Sequence, residues 1–144
     1  MNAVPILVGI DFSEGAERAL AQARHLAQWL GTKVSLVHVV ESFDSGSWIP
    51  DEPAIAWLER NRVDSSGLVV RQGFPWVELV RYGHEVNPGM IVVGSHGLSG
   101  FQPLAPGSTA ARLGVLSPFP VLVVTSAKPA MESAPTWVAA VRSV

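Results

Sequence analysis

The sequence predicts an α/β fold built on an open, five-stranded parallel sheet, and three features carry that prediction. Five short apolar runs of strand length, rich in Val, Ile and Leu, punctuate the chain. Helix-period segments separate most of them. The connection between the first two runs is a long helical pattern, which suits a right-handed parallel crossover and excludes a tight hairpin. A βαβα rhythm of this kind buries one sheet between two helical layers.

The elements follow in order. Val4 to Ile10 is strand 1 and ends at a polar corner, Asp11-Phe12-Ser13. Ser13 is placed to cap a helix, with Glu14 and Glu17 in its first turn where negative charge suits the dipole. Ala16, Ala19, Leu20, Ala23, Leu26, Ala27 and Leu30 give that helix one buried face, and Gly31 ends it. Lys33 to Val40 is strand 2. The segment from Glu41 to Pro53, with Gly46, Pro50 and Pro53, has no period and is predicted to be a loop, and Ala54 to Arg62 forms only a short helix. Gly67 to Gln72 is strand 3. Phe74 to Val86 is a helix with Trp76, Leu79, Val80 and Gly83 on one side, broken by Asn87-Pro88-Gly89. Met90 to Val93 is strand 4, a helix runs from Ser108 to about Leu116, and Phe119 to Val124 is strand 5. The domain spans residues 1–125 and a tail spans 126–144; in the tail Trp137, Val138 and Val141 form a small apolar patch.

Bulk properties narrow the function classes. With 144 residues the chain is one domain by length, and 48% hydrophobic residues supply a real core. A net charge of −2 and a pI near 6.0 leave no electrostatic footprint for nucleic acid or an anionic membrane. There is no cysteine, so disulfides, thiolate zinc sites and cysteine nucleophiles are excluded. The polar turn at Asp11 comes too early for a signal peptide, and no apolar run reaches membrane-spanning length. These features predict a cytoplasmic protein.

The chemistry concentrates after strand 4. Gly94-Ser95-His96-Gly97 is a glycine turn, and Gly107-Ser108-Thr109 opens a helix for which Ser108 is a candidate N-cap. Strand, glycine turn, glycine and capped helix together aim backbone N–H groups at an anion, here taken as a nucleotide phosphate. Ligands of such sheets bind beyond the carboxyl ends of the strands, where strand order reverses. If strand 4 returns beside strand 1, the Asp11 corner and the Gly94 turn meet there. Each feature has a plainer alternative: the glycines as turns, Ser108 and Ser13 as caps, Asp11 as a local hydrogen-bond partner. His96 has no neighbouring carboxylate or second histidine at ligand spacing, so neither general-base nor metal chemistry is expected. His38 is expected to be a satisfied core or sheet-end side chain, and His25 and His84 to be solvated.

The segments ILVGIDFSEGAERAL, VSLVHVV and IVVGSHGLSGF…GSTAARL…PVLVV resemble the universal stress proteins. The pattern G-x2-G-x9-G-[ST] of the nucleotide-binding branch is met by Gly94, Gly97, Gly107 and Ser108. The resemblance covers roughly Pro5 to Val124. It implies a Rossmann-like or flavodoxin-like strand order of 3-2-1-4-5, a homodimer and bound ATP, with or without Mg²⁺. By position it puts Asp11 at the adenine or ribose and Val39 in the adenine pocket. Gly94, His96 and Gly97 would approach ribose and phosphates, and Gly107, Ser108 and Thr109 would hold the phosphate tail. Phe12, Ser13 and Val93 complete the expected ATP site. The nearest following cation is Arg112, so affinity is expected to be modest unless Mg²⁺ accompanies the nucleotide. Strand 5, with Val121, Leu122, Val123 and Val124, is apolar on both faces and is the expected dimer edge.

The expected function is an ATP-binding stress-response or signalling module that acts on a protein partner, with no dedicated catalytic residue and at most slow hydrolysis. Two rivals stand beside it, while a third, a small flavodoxin-like carrier or electron-transfer protein, is disfavoured because the phosphate-like turn follows strand 4 and not strand 1. One is a dimeric interaction protein whose pocket is degenerate because Pro103 and Pro106 interrupt the phosphate loop and the second helix is short. The other is a weak ATP hydrolase.

Overall fold

In the computed structural model, residues 4–41, 48–95 and 108–125 are described. Five parallel strands form one sheet in the order β3-β2-β1-β4-β5, as expected. They are β1 (Ile6–Ile10), β2 (Val34–Val40), β3 (Leu68–Gln72), β4 (Met90–Gly94) and β5 (Val121–Val124). The helices are α1 (Glu14–Leu30), α2 (Glu52–Arg60), α3 (Pro75–Val86) and α4 (Ser108–Leu116).

The period-2 alternation of the strands divides the core into two layers. Ile6, Val8, Ile10, Leu36, Val92 and Val124 face α1 and α2, where Ala16, Leu20, Trp57 and Leu58 pack on them. Leu7, Val37, Ile91, Val93, Val121 and Val123 face the opposite side and meet Leu79 of α3 with Ala110 and Leu113 of α4. No helix of the described residues is long and apolar enough to cross a membrane.

Local chemistry sets the boundaries. The Ser13 hydroxyl accepts from the Ala16 N–H at 3.1 Å, and Gly31, at φ 65°, closes α1 with its own N–H bonded to Ala27. Strand 1 begins at Ile6 and not at Val4, because Pro5 has no N–H for the ladder; the Ile6 N–H makes the first bond, to Lys33. Strand 5 begins after Pro120 for the same reason. The second helix starts two residues earlier than expected: the Asp51 carboxylate accepts from the Ala54 N–H at 2.9 Å, and Pro53 sits in the first turn, where no N–H is needed. It stops at Arg60, ahead of Arg62 at φ 55°. Asn87, at φ 50°, ends α3 and turns the chain into β4.

Candidate functional site

Strand order reverses between β1 and β4: β1 leads outward to β2 and β3, and β4 leads the other way to β5. The corner Asp11-Phe12-Ser13 leaves the carboxyl end of β1 beside this crevice. Ile10 pairs in register with His38, so Asp11 and Val39 are the next residues up two adjacent strands. The sheet therefore brings together two positions 28 residues apart that the sequence linked only through resemblance.

The corner is tightly held. The Ser13 hydroxyl and the Ser13 N–H both donate to Oδ1 of Asp11, the latter at 3.1 Å. The Ser13 carbonyl accepts from the Glu17 N–H at 3.1 Å and from the Trp57 indole N–H at 2.9 Å. Phe12 adopts φ 63°, a costly conformation for a bulky residue. Packing fixes it there: its ring lies 4.5 Å from His38, 5.9 Å from a parallel Trp48 and 5.7 Å from an edge-on Trp57, centroid to centroid. His38 is hydrogen-bonded through Nδ1 to the Ile10 carbonyl at 2.7 Å, so it is a satisfied sheet-end residue. The corner is thus tied to β2 and α2, and the Asp11 carboxylate is presented with one oxygen, Oδ1, already engaged.

Phe12 and Ser13 serve this frame, and Phe12 belongs to the α1/α2 layer. Val39 is half-buried on the opposite layer, against residues of α3. Val93 is buried in that same layer. Gly94 has a specific packing cause: a Cβ there would lie 2.7 Å from the carbonyl carbon of Gly15 and 2.8 Å from its oxygen. The first turn of α1 thus sits directly on the end of β4. Ser95 is buried, and its N–H donates to the Val124 carbonyl at 3.0 Å. Thr109 is half-buried in the first turn of α4. His96, Gly97 and Gly107 lie outside the described residues, as do Pro103, Pro106 and the side chain of Ser108.

His38 is the satisfied sheet-end residue expected, whereas two supporting residues escaped sequence reasoning: Trp48, in the irregular segment, and Trp57, in the short second helix. A cation was also missed. Arg112 is solvent-exposed on α4, whereas Arg71 stands opposite Val39 in the β2–β3 register. Arg71 donates to Glu78 at 3.4 Å and to Glu85 at 2.9 Å, and its guanidinium lies 5.7 Å from the Tyr82 ring centre. Glu78 is buried and also accepts from Arg81 at 3.0 Å. Among the described residues no three His, Cys, Asp or Glu side chains cluster as metal ligands.

Against known proteins, the model of the universal stress protein family matches residues 4–125. The universal stress protein YxiE of Bacillus subtilis is 28% identical over 147 aligned positions, covering 83% of this chain and 97% of the relative. Among solved structures, the universal stress protein of Archaeoglobus fulgidus in complex with dAMP is 26% identical with a TM-score of 0.58, covering 85% of this chain and 98% of that one. A universal stress protein in complex with cAMP superposes with a TM-score of 0.63 at 23% identity, covering 86% and 98%.

Proposed function

The chain belongs to the universal stress protein family, and we propose that within it this protein binds an adenine nucleotide, ATP in the first instance, and uses occupancy as a signal to a protein partner. One observation carries this reading furthest. It is the register: Asp11 and Val39 follow the paired ends of β1 and β2, and β4 runs beside β1 at the reversal of strand order, the position where open α/β sheets take their ligands. The complex of the Archaeoglobus fulgidus relative with dAMP supports an adenine nucleotide as the ligand class.

Each group has a defined task. Asp11, with Oδ1 occupied by Ser13, offers Oδ2 to a ribose hydroxyl or a base amine. Val39 supplies an apolar wall for the base. Amides of the turn after β4 and of the α4 N-terminus, with Ser108 and Thr109, take the phosphates. Mg²⁺, when present, would neutralise phosphate charge that Arg71, already shared between Glu78 and Glu85, does not. A cytoplasmic homodimer paired through the β5 edge completes the reading, supported by the place of β5 as an outermost strand of the sheet.

That same commitment of Arg71 favours a second reading, in which an adenosine monophosphate is preferred over ATP. Calorimetric titration of the purified protein with ATP, ADP, AMP and cAMP, with and without Mg²⁺, decides between them. Micromolar binding corresponds to about −8 kcal/mol. Absence of binding at millimolar concentrations of all four ligands rejects both. Steady release of phosphate from ATP with Mg²⁺ identifies a hydrolase.

A further inference from the structure

We propose that Phe74 is a stacking platform for the base of the bound nucleotide; the inference rests on the nucleotide-binding reading and names a contact residue outside its glycine pattern. Phe74 occupies the N-cap position of α3, where Ser, Thr, Asp or Asn is stabilising, and it makes no side-chain capping bond. It is 70% exposed, an apolar ring held in water at a position where a small polar residue would stabilise the helix better. Local rules are broken in this way mainly where function requires it.

The position of Phe74 identifies what the ring serves. The preceding residue, Gly73, bonds through its N–H to the Val40 carbonyl at 2.9 Å, so Phe74 follows directly from a point pinned to the carboxyl end of β2. Val39, the apolar wall assigned to the base, is one residue back on that strand and packs in the same layer as Trp76 and Val80 of α3. Phe74 therefore stands at the carboxyl lip of the layer that holds Val39. Its mount is rigid. Gly73 sits at φ 146°, and a Cβ there would meet Glu78 Cγ and Oε2 at 2.9 Å. Glu78 in turn is held by Arg71 and Arg81. Pro75 bars the helical conformation at Phe74, which stays extended at φ −81°, ψ 132°. An exposed aromatic on a backbone tied to the carboxyl end of β2, one residue beyond Val39, suits a flat heteroaromatic base.

Phe74→Ser and Phe74→Trp test the proposal in the intact protein. The serine variant gains an N-cap, so its melting temperature rises by about 3–6 °C. Its affinity for AMP and ATP falls about tenfold or more by calorimetry, the loss expected for one base–aromatic stack. The tryptophan variant keeps affinity within about threefold of the wild type while its melting temperature stays unchanged. Opposite movement of stability and affinity in Phe74→Ser is a signature that a purely structural residue does not produce. Equal affinities of wild type and Phe74→Ser overturn this inference alone. Absence of binding by the wild type overturns the nucleotide reading, and the platform with it.

Discussion

Replacing Gly94 by alanine measures how tightly the two halves of the crevice are joined. The new Cβ would lie 2.7, 2.8 and 3.0 Å from the carbonyl carbon, oxygen and Cα of Gly15. All three are backbone atoms, so no rotamer change relieves the contact. Restoring an ordinary carbon–carbon separation requires α1 and β4 to part by roughly 0.7 Å. Neither is free to shift: Gly94 pairs with Val124 and Ser95 bonds to it, while α1 starts from the Ser13 cap and the Trp57 bond. Overpacking of this kind costs about 1–3 kcal/mol, which lowers the melting temperature of a domain this size by about 3–10 °C. Gly114 provides the control. It lies within α4, and a methyl group added to it would meet nothing within 4 Å, so Gly114→Ala is expected to stabilise by about 0.5–1 kcal/mol. Thermal and urea denaturation at one fixed protein concentration read both variants. A Gly94→Ala protein within about 0.5 kcal/mol of wild type would refute the close-approach argument.

Further predictions concern the frame of the corner, the edge and the acid limb. Trp57 is 1% exposed, and Trp57→Ala is expected to cost about 3–5 kcal/mol through the cavity it leaves. Trp57→Phe costs only about 1–2 kcal/mol, because the Glu17 N–H still serves the Ser13 carbonyl; equal losses in the two variants would contradict this division. Ser13→Ala removes a helix cap and both the hydroxyl donor and part of the order at Asp11, so stability drops by about 0.5–2 kcal/mol and nucleotide affinity falls with it. Sedimentation of the wild type at micromolar concentration is expected to show twice the chain mass; a monomer would count against pairing through β5. Asp64 accepts from the Ser66 N–H at 3.0 Å, which holds its carboxyl below the usual 3.8. Its folded-state pKa lies under the unfolded one, so its stabilising effect is complete at neutral pH and fades as the pH drops below about 4. Asp64→Asn should therefore lose less stability than wild type between about pH 6 and pH 3 in urea titrations.

Much of the architecture was legible in the chain because short-range chemistry decides it. The Ser13 cap, the Gly31 stop and the break at Asn87 act within a few residues, and each falls where the pattern put it. The strand periods assign Leu7 and Val8 to opposite layers without reference to any partner. Errors gathered where a side chain offset a poor local pattern, as at Asp51, whose carboxylate starts α2 ahead of Pro53.

The candidate site divides along the same line. Residue types and spacing marked the Asp11 corner and the glycines around β4, and the family resemblance alone pointed to Val39. The sequence by itself did not contain the reason Gly94 must lack a side chain, the Trp57 bond that holds the Ser13 carbonyl, or the cation opposite Val39. Those depend on which backbones meet across the sheet: Gly15 on Gly94, Trp57 on Ser13, Arg71 beside Val39. The first two join residues 79 and 44 positions apart, and contacts at such separations exist only once the crossovers have closed.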